Sequence, residues 1–248
     1  MYTDENSKTI DKWVEDGWEW AKEITHEDFL RAKEGKKGIF LTPIKDVPDS
    51  WIAKVKGKKV LGLASGGGQQ MPVLAARGAH CTVMDYSQKM LDKDILVAKR
   101  EGYDIEILRA DMSKTFPFED ETFDMIVNPV SNIYVEDAEF VFQECYRVLK
   151  KGGTLLAGLD TGLNFAFSDD ETQLETHLPF HSLKNKEQEA LYLKEESGYQ
   201  FSHTIEEQIG GQLRAGFRLL DIFEDKNRTG YASSFNLPFY HATLSLKE

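Results

Sequence analysis

Cysteine is nearly absent: Cys81 and Cys145 are the only two among 248 residues, and both sit in apolar stretches. That argues against a disulfide framework and leaves no paired spacing for a zinc site. Two buried, reduced thiols in a cytoplasmic protein are expected, with no metal. Long hydrophobic runs are missing too. No apolar stretch approaches the ~20 residues that a membrane span needs, and the acidic start MYTDENSKTIDKWVEDGWEW lacks the basic-then-apolar layout of a signal peptide. Positive charge is in short supply, with 30 Lys and Arg against 42 Asp and Glu, a net charge of −12. A polyanion gains affinity by meeting Lys and Arg, so nucleic acid is disfavoured as the main partner. There is no internal repeat and no low-complexity tract. With 41% hydrophobic residues the chain can still bury a normal core.

What is present is an alternation of short apolar strands and amphipathic helices. Trp13, Trp18, Trp20, Phe29 and Leu30 recur at roughly helical spacing until KEGKKG ends the pattern, and TPIKDVPDSW follows as an extended linker. KVLGLA reads as a first strand, and QQMPVLAAR as a helix with Pro72 in its first turn and Gly78 past its end. HCTVMD is a second strand, and Ser87 is placed to cap a helix through about Arg100. IEILRAD and FDMIVNPV read as strands three and four. DAEFVFQECYRVLKKGG is a helix whose Lys150 and Lys151 would complement its C-terminal dipole, and TLLAGLD is a fifth strand. Such alternation predicts a parallel, helix-flanked sheet. Residues 161–203 break the pattern, then SHTIEEQIGGQLRAGF resumes a helix. RLLDIFED and FYHATLSLK close the chain as strands joined by a loop, 226–237, too short for a helical crossover, so they should pair antiparallel. The expected architecture is an α/β, Rossmann-like doubly wound sheet of seven mostly parallel strands with an antiparallel last strand, plus a helical cap. Its parts are an N-terminal helical cap and linker (1–50), a core (51–160), a cap insertion (161–203) and the end of the core (204–248).

The glycine-rich turn ASGGG after the first strand lies where open α/β sheets bind ligands. A nucleoside triphosphate needs Gly-Lys-Ser/Thr, but Gln69 and Gln70 follow Gly68. A dinucleotide, as in a nicotinamide (NAD) dehydrogenase, would use G-x-G-x-x-G, which Gly62, Ala64 and Gly67 match with one substitution. The third reading covers more of the chain. VLGLASGGG, TVMDYS, LRADM, FPFEDETFDMIV, ECYRVLKKGGTLLAG and AGFRLL together resemble the class I S-adenosylmethionine (SAM)-dependent methyltransferases, most closely the branch that methylates small molecules. The resemblance spans residues 58–160, and 204–247 by topology.

In that register Gly62 stands where the family has an acid, and Ala64, Gly66 and Gly68 stand at its three glycines, with Ser65 between them. The resemblance implies that Asp85 accepts from both ribose hydroxyls and that Tyr86 lies against the adenine. It also implies that the Asp111 carboxylate accepts from the adenine amino group while Met112 offers a backbone N–H. Asn128 closes the expected cofactor set. Asn132 and Tyr134, after the fourth strand, and His177 and His203, in or beside the insertion, are the expected acceptor-binding residues. Each has a plainer alternative: Asp85 could cap a helix, Asn128 could bond its own turn, and each histidine could fill an ordinary polar role. No Cys–His pair or carboxylate dyad stands out near the strand ends. Catalysis is therefore expected chiefly by alignment, and the catalytic residues stay unassigned, as does the oligomeric state. The expected activity is SAM-dependent methyl transfer to a small-molecule acceptor. A non-catalytic SAM-binding sensor remains the main alternative.

Overall fold

The computed structural model describes residues 1–168 and 170–248, with the side chains of 191–195, Tyr192 among them, outside the described residues. In chain order the elements are α1 (Tyr2–Glu15), α2 (His26–Lys33), α3 (Asp49–Ile52), β1 (Lys59–Leu63), α4 (Gln70–Ala76), β2 (His80–Asp85), α5 (Gln88–Glu101), β3 (Ile105–Arg109), β4 (Phe123–Asn128), α6 (Ala138–Val148), β5 (Leu149–Asp160), α7 (Lys186–Glu195), α8 (Gly211–Ala215), β6 (Phe217–Asp225) and β7 (Tyr240–Lys247). The strands form one sheet in the order β3-β2-β1-β4-β5-β7-β6. The first five run parallel, and β7 lies between β5 and β6, antiparallel to both. This is the Rossmann-like architecture read from the sequence.

Period-two alternation divides the strands between two cores. Val60, Val83, Met125, Val127 and Leu156 join one cluster with Met71, Val73 and Leu74 of α4 and with Ile39 to Val55 from the linker. Leu61, Met84, Ile126, Leu155 and Ala157 join the other with Val141, Phe142 and Cys145 of α6. Both thiols are buried, and burial pushes that of Cys81 up to about 12, far from the reactive thiolate form. Among the described residues, no helix is long and apolar enough to cross a membrane, and no group of acids, histidines and cysteines could hold a metal ion.

Two element boundaries differ from the sequence reading. The tryptophan-bearing N-terminal segment is not one helix: α1 stops at Glu15, Gly17 turns the chain at φ 87°, and a 3-10 turn at Glu19–Ala21 precedes α2. Lys150 and Lys151 do not finish α6. Leu149 already pairs with Phe123 of β4, so the strand begins as soon as the helix ends at Val148. Ladder hydrogen bonds to a central strand outweigh helix propensity there. Ser87 caps α5 as the sequence suggested, its side chain accepting from the Met90 N–H at 3.1 Å.

Candidate active site

The strand order reverses between β1 and β4, which opens a crevice at the carboxyl ends of the strands. A cavity of about 260 Å³ occupies it. Its floor is built from strand ends: Ala64 after β1, Asp85 and Tyr86 at β2, Asp111 and Met112 after β3, Pro129 and Ser131 after β4, and Asp160 at the end of β5. Its roof is the N-terminal segment, through Thr3, Ser7 and Ile10 of α1 with Trp18 and Trp20 beyond it.

Asp85 organises one end. Its Oδ2 accepts the Gly66 N–H at 3.0 Å and its Oδ1 accepts the Ser87 N–H at 2.9 Å. Each oxygen keeps a further lone pair, and the residue is only half-buried because one side faces the cavity. Desolvation raises its pKa despite these donors, so a ligand offering hydroxyl donors would relieve an electrostatic cost. Gly66 has to be glycine: a Cβ there would stand 2.6 Å from Met90 Cβ and 3.0 Å from Asp85 Oδ2. Gly62, in the position where the resemblance expects an acid, has a steric reason of its own. A Cβ at Gly62 would meet Met71 Cγ at 2.8 Å, so α4 fills the space that an acidic side chain would need.

The loop is held from behind by Asp94 of α5, whose Oδ2 accepts the Gly68 N–H at 3.0 Å. Ser65 donates to Gln70 Oε1 at 3.2 Å inside the same turn. On the far side, Asp111 Oδ1 accepts the Ser113 N–H at 2.8 Å, while its Oδ2 is buried with no partner among the described residues. Thr3 Oγ1, in the roof, is likewise buried and unpartnered. A buried acceptor without a donor costs about 1–3 kcal/mol, which marks Asp111 as a group awaiting a ligand. These features fit an adenosine: a carboxylate with two free lone pairs, an orphan acceptor, and glycines that admit a ligand close to backbone.

Tyr86 ties roof to floor. Its hydroxyl donates to Asp4 Oδ1 at 2.7 Å, its carbonyl accepts from Ser7 Oγ at 2.8 Å, and Arg109 lies 5.1 Å over its ring. Asp11 accepts from the Ser87 hydroxyl and from the Lys89 N–H at 3.0 Å.

Other expected site residues lie away from the cavity. Asn128 is buried and donates to the Leu63 carbonyl and to Ser131 Oγ, both at 2.8 Å, stitching β1 to the loop after β4. Asn132 braces Asp160 twice, donating to its carbonyl at 3.1 Å and accepting its N–H at 3.0 Å. His203 is buried, with Nε2 shared between the carbonyls of Asn132 and Val135 at 3.0 Å each, and desolvation lowers its pKa. A neutral imidazole held by two carbonyls is a structural donor. His177 is exposed and does not line the cavity. Of the expected acceptor set, Tyr134 lines it. No described residue of 161–203 lines it either; the insertion touches α1 from outside, where Tyr2 packs edge-on to Phe201 and Asn6 donates to the Tyr199 carbonyl.

Sequence reasoning passed over Asp160 and Tyr240. They face each other across the antiparallel β5–β7 pair and both line the cavity. The signal was available, because TLLAGLD ends an apolar strand in an acid just as HCTVMD does.

A methyltransferase-domain family model matches residues 61–157, the stretch that supplies most of the cavity floor. Over 98% of its length the chain is 41% identical to the uncharacterized methyltransferase YbaJ of Bacillus subtilis (strain 168), covering 97% of that protein. The chain belongs to the class I SAM-dependent methyltransferases. Its fold is also that of a SAM-dependent methyltransferase from Mesorhizobium loti, with a TM-score of 0.64 at 18% identity over 80% of this chain and 94% of that one. Over 52% of its length this methyltransferase is 31% identical to a ubiquinone biosynthesis O-methyltransferase of Pseudomonas entomophila (strain L48), covering 56% of that protein. Its cofactor is SAM, and the dehydrogenase and sensor alternatives fall with the family membership.

Proposed function

We propose that this methyltransferase acts on a small-molecule acceptor bound in the roofed cavity, in the cytoplasm. The observation that carries the reading is the two-sided lining. The strand ends wall the cavity on one side and α1, Trp18 and Trp20 on the other, which suits a small acceptor better than a macromolecular surface. The partial match to a protein named for ubiquinone biosynthesis supports the same reading. Asp85 and Asp111 would hold the nucleoside, with Tyr86 and Met112 beside it and the Ala64–Gly68 turn along the rest of the cofactor. SAM, when bound, supplies a methyl group already activated on a sulfonium. The protein's own work is to align the acceptor, exclude water and keep donors and acceptors fixed, and alignment of this kind can lower a barrier by ~7–11 kcal/mol. Incubating the protein with a cell extract and methyl-labelled SAM tests this. Label is expected in the small-molecule filtrate, and label confined to protein or nucleic acid would overturn the proposal.

The roof gives a second expectation. α1 is held over the nucleoside end by a few exposed or half-buried hydrogen bonds, so ligand contact should order it. Hydrogen exchange with S-adenosylhomocysteine should show added protection in residues 2–15, with a smaller gain in the 161–203 insertion that braces it. Unchanged exchange in both segments would remove them from the cap.

A further inference from the structure

We infer that Asp160 is the receptor for the acceptor's reacting group, and that this group is a nitrogen base that arrives as an ammonium; this rests on the small-acceptor reading above. Asp160 is 3% exposed, closes β5 and lines the cavity. Every partner of its carboxylate is neutral: Oδ1 accepts the Gly162 N–H at 2.6 Å and Oδ2 accepts the Asn164 amide at 2.8 Å. Among the described residues the cavity lining holds three carboxylates, Asp85, Asp111 and Asp160, and no Lys, Arg or His. A buried carboxylate without a counter-cation is electrostatically costly, and an anionic acceptor would make that cost worse. A cationic one would remove it.

The surroundings fit the same ligand. Tyr240 stands directly opposite Asp160, with its hydroxyl committed to Asn227 Oδ1 at 2.9 Å and accepting from Asn164 at 3.2 Å. Tyr134 lines the same cavity, and aromatic faces beside a carboxylate suit a cation. The Gly162 N–H and the Asn164 amide hold the carboxylate itself, while Asn132 grips its backbone on both sides and Gln208 donates to its carbonyl at 2.8 Å. Desolvation already lifts the Asp160 acid to about 6, and the same burial would lower that of an ammonium. The ion pair pulls both the other way, so the neutral pair is the less populated form from which transfer starts. The proton then passes from nitrogen to a carboxylate oxygen: one N–H bond breaks, one O–H bond forms, and two opposite charges become two neutral groups. The nitrogen lone pair is thereby freed for methyl transfer.

The test is calorimetric titration of benzylammonium, benzyl alcohol and benzoate into the protein saturated with S-adenosylhomocysteine. Benzylammonium is expected to bind at least tenfold more tightly than benzyl alcohol, and benzoate not at all. Asp160→Asn should abolish the preference while leaving S-adenosylhomocysteine affinity within about twofold. Equal binding of the alcohol or benzoate by the parent protein would overturn the inference, whether or not the variant folds. So would a tenfold loss of S-adenosylhomocysteine affinity in Asp160→Asn, which would assign the carboxylate to the cofactor's own ammonium. Failure of the parent protein to bind S-adenosylhomocysteine at all would instead strike the cofactor placement.

Discussion

Replacing Asp85 by alanine is expected to weaken binding of SAM and S-adenosylhomocysteine at least tenfold. The carboxylate would lose two charge-assisted hydrogen bonds to the ribose diol, each worth about 1.5–3 kcal/mol. A second loss adds to this, because the same oxygens hold the N–H groups of Gly66 and Ser87. Without them the glycine turn and the start of α5 lose their common anchor. Asp85→Asn separates the two contributions, since its single carbonyl oxygen can keep one of these N–H groups but not serve both hydroxyls. Calorimetry on the folded variants is the measurement, and unchanged affinity in Asp85→Ala would remove Asp85 from the nucleoside site.

The second large effect concerns stability and pH. Asp94 is fully buried, and burial pushes its pKa up to about 8, with the negative Asp85 adding to the shift. In the folded chain it is therefore a neutral acid at pH 7, whereas in the unfolded chain it ionises near pH 4. A carboxyl group whose folded pKa is raised stabilises fully below its unfolded pKa, and that contribution drains away as pH climbs to the folded pKa. Between pH 5 and 8 the loss is about 1.4 kcal/mol for each pH unit, and it levels off above 8. Asp94→Asn keeps an acceptor for the Gly68 N–H and has no proton to lose. In urea denaturation the variant should gain on the parent by that slope across pH 5–8. Parallel curves for the two proteins would show that Asp94 is already ionised in the native state.

The sheet was legible because its strands announce themselves by period: Val60 and Leu61, Val83 and Met84, and Met125 and Ile126 alternate between the two cores as neighbouring residues. The loop of 226–237 correctly implied an antiparallel end, since chain length alone forbids a crossover there. Asp85 and Asp111 could be placed because a strand end fixes where a side chain emerges. Asn128, His203 and the tryptophans were harder. An amide after β4 looks the same in sequence whether it faces a ligand or the Leu63 carbonyl, and the difference lies in a partner 65 residues away. The N-terminal helix was misread because local periodicity carried Trp18 and Trp20 past the turn at Gly17, and it is that turn which places them in the cavity wall.

The seam between α1 and the β2–α5 turn also has a kinetic meaning. Asp4 and Asp11 bond to Tyr86 and Ser87, neighbours of the residue expected to hold the ribose, so a ligand reaching Asp85 from above must wait for those bonds to part. Entry by that route would be a gated event rather than a simple collision. In rapid mixing, followed by the fluorescence of Trp18 and Trp20, the observed rate would climb with ligand concentration and then reach a plateau set by how often the seam opens. The same gate would retain S-adenosylhomocysteine after each turnover, so the speed limit of this enzyme would be written in the first turns of its chain rather than in the chemistry beneath them.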